Sequence, residues 1–327
     1  MRRALLDLGV TSAAPLSRIR GVVSIAKRSD VYGIWLAEDI DSAADVFVQA
    51  GIAMRSAPTK RIGIGMTIPL VYNISTIARA SAVLMEMAPN RFRLGLGVGS
   101  VRGLARLTVE VRRPCKVLRE TSEALRWIYN GETVTLKGEC FELDNYLARY
   151  RPRFTIPIYL GVRGRALLRF AGRMADGVIL SGPIRYVEKA IHILREEATL
   201  RRSAGSPRVV FWLPTLVTRN KADRNLARTM AATMIAGTPA NVLEMTGISD
   251  GAVDVRRTAR EQGYDAASEY VTEELLNNFT ISGAPEQICE VFQLLAKLGV
   301  SEVVFGPPYG REIFRSIREV VRTWESL

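Results

Sequence analysis

Short runs of Val, Ile and Leu recur along the chain, separated by segments in which apolar residues return every three or four positions. The runs are 4–8, 33–37, 62–66, 92–96, 156–160, 177–180, 209–213 and 302–305. Strands this continuously apolar are buried on both faces, as in a parallel sheet covered by helices. Between them, Ser75 to Ala88 places Ile77, Ala80, Leu84 and Ala88 on one face and stops at Pro89-Asn90. Pro114 suits a first helical turn, Leu118, Thr121, Leu125 and Ile128 form a stripe, and Gly131 is placed to end the helix. Arg165 to Ala175 repeats the pattern, and Ile313, Ile317, Val320 and Trp324 give the last amphipathic face. Eight strands alternating with helices predict an α/β fold of the (β/α)8 TIM-barrel type rather than an open doubly wound sheet.

Two segments exceed ordinary loop length. Residues 133–143 alternate around Lys137-Gly138 and read as a hairpin inserted after the fourth strand. Residues 218–282, after the seventh strand, are mostly helical in pattern and punctuated by glycines. Insertions of this size in a barrel usually shape or cover the active site, so the expectation is one domain over 1–327 with two insertions.

Composition narrows the function classes. With 48% hydrophobic residues in 327, the chain can bury a full core, which excludes disorder. No apolar stretch approaches the roughly 18 residues of a membrane span, and Asp7 interrupts what a secretion signal would need, so a cytoplasmic protein is expected. Cys115, Cys140 and Cys289 are far apart and odd in number, which indicates neither a disulfide framework nor a metal site. His192 is the sole histidine and lies in a helical run, so Ser-His-Asp chemistry is excluded. The net charge of +12 is the excess of seven lysines and 38 arginines over 33 acidic residues. The arginines are scattered, as at Arg112-Arg113, Arg201-Arg202 and Arg256-Arg257, with no dominant block. A charged surface therefore explains the excess better than a nucleic-acid stripe does.

Gly95-x-Gly97-x-Gly99 follows the fourth strand, but Ser100 stands where a dinucleotide-binding motif needs its third glycine. On a barrel the same glycines lie at the strand's C-terminal end, where a missing Cβ lets a flat ring or phosphate approach; tight turning alone explains them about as well. Asp7 and the pair Glu38-Asp39 are expected at the ends of the first two strands, aimed at the mouth where catalytic groups sit. A lone carboxylate there is more often a cap or an ion-pair partner. Three together favour function modestly. Gly161-Val-Arg163-Gly164 and Ser181-Gly182-Pro183 are short turns leading into helices, where backbone N–H groups and Arg163 suit phosphate; ordinary turn chemistry is the competing reading.

Several stretches together resemble the bacterial-luciferase-like superfamily of flavin and deazaflavin barrel oxidoreductases. They are Tyr32-Gly-Ile-Trp-Leu-Ala-Glu-Asp39, Arg61-Ile-Gly-Ile-Gly-Met-Thr67, Asn90-Arg-Phe-Arg-Leu-Gly-Leu-Gly-Val-Gly99, Arg113-Pro114 with Gly131-Glu-Thr-Val134, Pro157-Ile-Tyr159, Ala171-Gly-Arg-Met-Ala-Asp-Gly-Val178 and Ser282-Gly-Ala-Pro-Glu286. Within it, Val304-Phe-Gly-Pro-Pro-Tyr-Gly310 is most similar to the methylene-tetrahydromethanopterin reductases. The resemblance implies coenzyme F-420, hydride transfer to or from a small or pterin-bound one-carbon substrate, and a homo-oligomer. It also implies a non-prolyl cis peptide backing the coenzyme ring at Gly65-Met66, and an acidic residue ending strand one at Asp7.

The candidates are thus Asp7 and Asp39 for catalysis, and Glu38, Gly65, Met66, Thr67, Gly97, Gly99, Gly161, Arg163, Gly164, Ser181 and Gly182 for the coenzyme. Two departures stand out: Glu38-Asp39-Ile40 replaces the Asp-His of many relatives, and Gly97-Val-Gly99-Ser100 lacks an acidic residue common there. FMN with monooxygenase chemistry is the alternative, and a non-catalytic or nucleic-acid-associated barrel the alternative of another class.

Overall fold

The computed structural model describes residues 3–40, 43–201, 205–248 and 250–327, with Val101 and Arg102 described by backbone alone. Arg202 of the scattered arginines and Ser249 of the glycine-punctuated stretch lie outside the described residues.

Among the described residues twelve strands follow in chain order: β1 (Leu5–Thr11), β2 (Gly33–Ala37), β3 (Arg61–Thr67), β4 (Phe92–Leu96), β5 (Val134–Lys137), β6 (Glu142–Tyr146), β7 (Ile158–Gly161), β8 (Gly177–Leu180), β9 (Arg208–Phe211), β10 (Pro214–Val217), β11 (Ile281–Gly283) and β12 (Glu302–Tyr309). Eight of them, β1-β2-β3-β4-β7-β8-β9-β12, pair in parallel, and β1 closes on β12 with Asp7 opposite Val304. This is the TIM barrel that the eight apolar runs predict. The antiparallel pair β5–β6 follows β4. After β9 the chain continues into β10, which pairs with β12 and β11. Helices Lys221–Gly237, Ala240–Glu244, Val253–Glu261 and Glu273–Phe279 lie between β10 and β11, with Ala231, Ile235, Leu276 and Phe279 in a core of their own.

Local chemistry sets the helix ends. Asn73 accepts a hydrogen bond from the Ser75 N–H at 2.9 Å and starts the helix Ile74–Met87. Pro114 opens the helix Pro114–Asn130, and Gly131, in the left-handed region at φ 83, closes it. Two strands run further than their apolar runs suggest: β1 continues to Thr11 and β12 to Tyr309. Gly9 is a poor strand former, but its pairing with Trp35, followed by that of Thr11 with Ala37 of β2, supplies the ladder that propensity lacks.

Strand alternation divides the barrel into an outer and an inner face. Leu6, Leu8, Val10, Ile34, Leu36, Ile62, Ile64, Leu94 and Leu96 point outward into the helix-covered core. The inner face carries Trp35, Tyr159, Ile179, Val210 and Val304, with Met66 and Trp212 packed against them. A core split in this way leaves the inside free for polar and functional groups.

Candidate functional site

The lower inner layer is ionic. Asp7 is fully buried and accepts a hydrogen bond from Trp35 Nε1 at 2.8 Å, with Arg93 Nη2 at 3.5 Å from the same carboxylate oxygen. Arg93 also pairs with Glu302, which in turn accepts from Arg208 Nε at 2.8 Å. The Arg93 guanidinium stacks 4.2 Å from the Trp35 ring centroid. Burial pushes the Asp7 carboxyl well above its ordinary range against the pull of Arg93, and the Glu302 carboxylate raises it further. Glu302 is also pushed up by burial, but Arg93 and Arg208 together bring it below its ordinary range. The layer therefore holds one ionised carboxylate between two arginines and one carboxyl that favours its proton.

This location corrects one expectation. Asp7 does not end the first strand at the mouth; it is the third of seven residues in β1, opposite Gly33 at the start of β2. The apolar run stops after Leu8, but the strand does not, so Asp7 lies deep inside the barrel beneath Trp35. Its partners, Arg93 and Glu302, were missed among the candidates. A signal for them exists in the sequence: Arg93 is a charge inside an apolar run and Glu302 a charge that opens one, and a charge in a buried strand demands a buried partner.

Above the ionic layer lies an aromatic floor. Trp35 and Tyr159 meet edge to face with centroids 5.2 Å apart. Near the C-terminal ends of the strands the inner face becomes glycine-rich, at Gly9, Gly65, Gly97, Gly161 and Gly306. A Cβ on Gly65 would lie 2.9 Å from Trp35 and 3.0 Å from Ile179. One on Gly306 would lie 2.2 Å from Trp212 Nε1, and one on Gly9 would lie 2.5 Å from the same indole. The peptide between Gly65 and Met66 is cis, and the β3–β4 register shifts between Ile64 and Thr67. Met66 then folds back over the neighbouring strands, its Sδ 1.3 Å from where a Cβ of Gly161 would stand and 2.9 Å from that of Gly97. Those two glycines thus make room for the Met66 side chain. The result is a shallow basin floored by Met66 and Trp212, which gives a planar ring a surface without protruding side chains.

One wall of the basin carries Glu38, just past β2, and Thr67, which ends β3. Glu38 Oε2 and Thr67 Oγ1 are both buried and, among the described residues, neither has a hydrogen-bond partner of good geometry. Burial raises the Glu38 carboxyl to about 7, opposed by the Tyr72 and Thr67 hydroxyls and the Ile68 backbone, with Asp45 adding to the rise. The Tyr72 hydroxyl donates its one proton to Asp45 Oδ2 at 2.7 Å. Asp45 is fixed in turn by capping the helix Val46–Ser56, accepting from the Val48 N–H at 2.9 Å. Nothing in the sequence marks Tyr72, which enters the site only because the chain folds back after Ile68.

The remaining candidates occupy different settings. The Asp39 N–H donates to Ser12 Oγ at 2.9 Å, beside Glu38 at the mouth. Gly99, at φ 83, turns the chain into the short helix Val101–Arg106 and packs against Ile68 and Leu104. The Gly164 N–H donates to the Tyr186 hydroxyl at 3.0 Å, so this amide is already satisfied. Arg163 reaches the Gly237 carbonyl at 3.3 Å, tying the fifth barrel strand to the helical insertion, and burial lowers its pKa from the ordinary arginine value. Ser181 continues the inward alternation of Gly177 and Ile179. Gly182 leaves 3.4 Å between a Cβ and Tyr186, room enough for a methyl group. His192 is exposed on the helix Ile184–Ala198 with Nε2 3.1 Å from Glu196, far from any role in the basin.

The raised Glu38 pKa has a consequence for stability. Below the unfolded value of 4.5 both states hold the proton; between 4.5 and about 7 only the folded state does, so stability falls as pH rises through that window. Glu38→Gln, which cannot ionise, should remove the slope and leave the protein about 2–3 kcal/mol more stable than wild type above pH 7. Urea unfolding at pH 5 and pH 8 reads this directly; parallel pH dependence in both proteins would contradict the burial assigned to Glu38.

A closed parallel barrel with a glycine-lined basin and a buried acid near its C-terminal mouth, in a chain similar to reductases and dehydrogenases, is an oxidoreductase. The chain belongs to the luciferase-like monooxygenase family, which matches residues 5–302. It is 30% identical to the 5,10-methylenetetrahydromethanopterin reductase of Archaeoglobus fulgidus, over 90% of this chain and 91% of that protein. It is 27% identical to the F-420-dependent glucose-6-phosphate dehydrogenase of Nakamurella multipartita, over 81% of this chain and 80% of that one. Among solved structures, the coenzyme F-420-dependent tetrahydromethanopterin reductase of Methanopyrus kandleri superposes with a TM-score of 0.86 at 20% identity, covering 99% of both chains. Among the described residues, no helix is long and apolar enough to cross a membrane and no His, Cys, Asp or Glu cluster could hold a metal ion.

Proposed function

We propose that the protein is a coenzyme F-420-dependent oxidoreductase that transfers hydride to or from a small substrate, with a pterin-bound one-carbon unit as the substrate class. The observation that carries this reading is the basin itself. Glycines at the strand ends, Met66 and Trp212 as its floor, and two unsatisfied buried oxygens on one wall fit a flat ring with polar edges. The names of the relatives supply the coenzyme and the pterin.

The deazaflavin, when bound, supplies the hydride chemistry. The chain's own residues do the rest. Trp35, Tyr159 and Trp212 keep water from the underside of the ring site. Met66 sets the height of the floor. The Glu38 carboxyl, raised to about 7, can give or take a proton near neutral pH at the polar edge of whatever lies beside it, and Thr67 Oγ1 adds a hydroxyl at the same place. Asp7 stays out of the chemistry and instead fixes the Trp35 indole through its 2.8 Å hydrogen bond. A reaction with one hydride and one proton needs little more, which fits a chain with a single, remote histidine.

The deciding measurement is the absorbance spectrum of purified protein incubated separately with the deazaflavin coenzyme and with FMN, then washed. Retention of the deazaflavin is expected. Retention of FMN alone, with oxygen consumed when the flavin is reduced, would replace this reading with the monooxygenase one.

A further inference from the structure

An acid that acts once per turnover must regain or shed a proton before it can act again. Glu38 has no open route for this through the basin: Oε2 is buried, and a ring lying in the basin would close the mouth over it. The residues behind Glu38 lead to the surface instead. The Tyr72 hydroxyl faces the Glu38 carboxyl, whose proton affinity it lowers, and donates to Asp45 Oδ2 at 2.7 Å. Asp45 is exposed. A single hydroxyl thus stands between a buried carboxyl on the basin wall and a carboxyl in contact with water.

Each member of this line is held in place. The chain turns after β3, where the Val71 and Tyr72 N–H groups both donate to the Ile68 carbonyl, at 3.0 and 3.1 Å. The Tyr72 ring meets Phe47 edge to face with centroids 5.5 Å apart. Asp45 uses Oδ1 to accept from the Val48 N–H, which leaves Oδ2 for Tyr72. Burial, the hydrogen bond to Asp45 and the nearby Glu38 carboxyl hold the Tyr72 hydroxyl above the ordinary tyrosine range. It does not give up its proton alone, but it can give one as it takes another.

We propose that Tyr72 and Asp45 form a proton relay between Glu38 and bulk water, which resets the acid while the basin is covered. The proposal deepens the proposed function and rests on it for the reaction that uses the proton. In uptake, water protonates Asp45. The Asp45 O–H bond then breaks as its proton passes to the Tyr72 oxygen, and the Tyr72 O–H, turned toward Glu38, gives its own proton to the Glu38 carboxylate. One proton has moved from water to Glu38, Tyr72 is unchanged and no electron is transferred. Release runs through the same atoms in reverse. Tyr72 and Asp45 act only through Glu38 and are positioning residues.

Two variants break the relay in different ways. Tyr72→Phe keeps a ring against Phe47 and removes the hydroxyl. Asp45→Asn keeps a side chain that caps the helix Val46–Ser56 as well as aspartate does, but it carries no acid proton. Stopped-flow turnover is followed in the direction that consumes a proton, at about pH 6, where Glu38 starts protonated. Both variants should complete the first turnover at the wild-type rate and then slow about tenfold, with unchanged KM and a solvent deuterium isotope effect confined to the later turnovers. Later turnovers at the wild-type rate in either variant overturn the relay, as does a first turnover slowed as much as the rest.

A second readout needs no coenzyme. Among the described residues, Tyr72 and Asp45 are the titratable groups that act on Glu38, the first lowering and the second raising its proton affinity. The infrared carbonyl band of the protonated Glu38 carboxyl, identified by its loss in Glu38→Gln, should therefore titrate at higher pH in Tyr72→Phe than in wild type. An unmoved midpoint overturns the relay whichever coenzyme is retained. A raised midpoint in a protein that retains FMN supports the relay and removes only the hydride reaction assigned to it.

Discussion

Arg93→Met should destabilise the protein by about 3–5 kcal/mol, the range expected when one partner is removed from a buried charge network. The methionine fills much of the same volume, so the loss is electrostatic. Glu302 is fully buried and kept ionised by Arg93 and Arg208; without Arg93 it retains only Arg208, whose side chain is 44% exposed. The stacking of the guanidinium on Trp35 is lost at the same time. Asp7→Asn provides the contrast. Because burial and Glu302 already favour the neutral form of Asp7, an amide of the same shape changes little in charge and can still accept the Trp35 N–H. Its cost should be less than half that of Arg93→Met by urea unfolding. Equal costs would mean that Asp7 is ionised and that the balance described for this layer is wrong.

Gly65→Val should lower coenzyme affinity by about 100-fold or more while leaving the barrel folded. Its Cβ would stand 2.9 Å from Trp35 and 3.0 Å from Ile179, and valine adds two methyl groups beyond that. Trp35 cannot yield easily: Asp7 holds its indole nitrogen, Arg93 stacks on its face, and Tyr159 abuts it. The methyl groups are therefore driven toward the basin, where they raise the floor by more than the contact distance a stacked ring tolerates. Fluorescence titration with the deazaflavin measures the loss, and circular dichroism checks the fold. Wild-type affinity in a folded variant would remove Gly65 from the ring site.

The difference between these two substitutions shows which parts of the site were legible in the chain. Gly65 and Met66 were identifiable because they belong to a stretch, Arg61 to Thr67, whose residues carry the family resemblance. Glu38 was identifiable because an acid directly after a buried strand must face the mouth. Arg93 and Glu302 left a trace as charges inside apolar strands, but nothing local says that each answers the other across 209 positions. Asp7 was placed at the wrong height because the end of an apolar run is not the end of a strand: pairing with β2 carries β1 on to Thr11. Tyr72 and Trp212 gave no sign at all, since their roles depend on neighbours distant in sequence.

What the sequence determined by itself was the architecture. Eight apolar runs and the helical stripes between them suffice for a closed parallel barrel, because burial of both strand faces leaves few other arrangements. It also determined a negative: a chain with one helical histidine does not rely on histidine acid–base catalysis. The tertiary structure alone decided the site. Proton affinity depends on how deeply a carboxyl is buried and what charges surround it, and those quantities exist only after folding. Glu38 and Asp7 are both acids near the start of the chain, yet closure of the barrel places one at the mouth, beside an unpartnered hydroxyl, and locks the other to an indole beneath the floor.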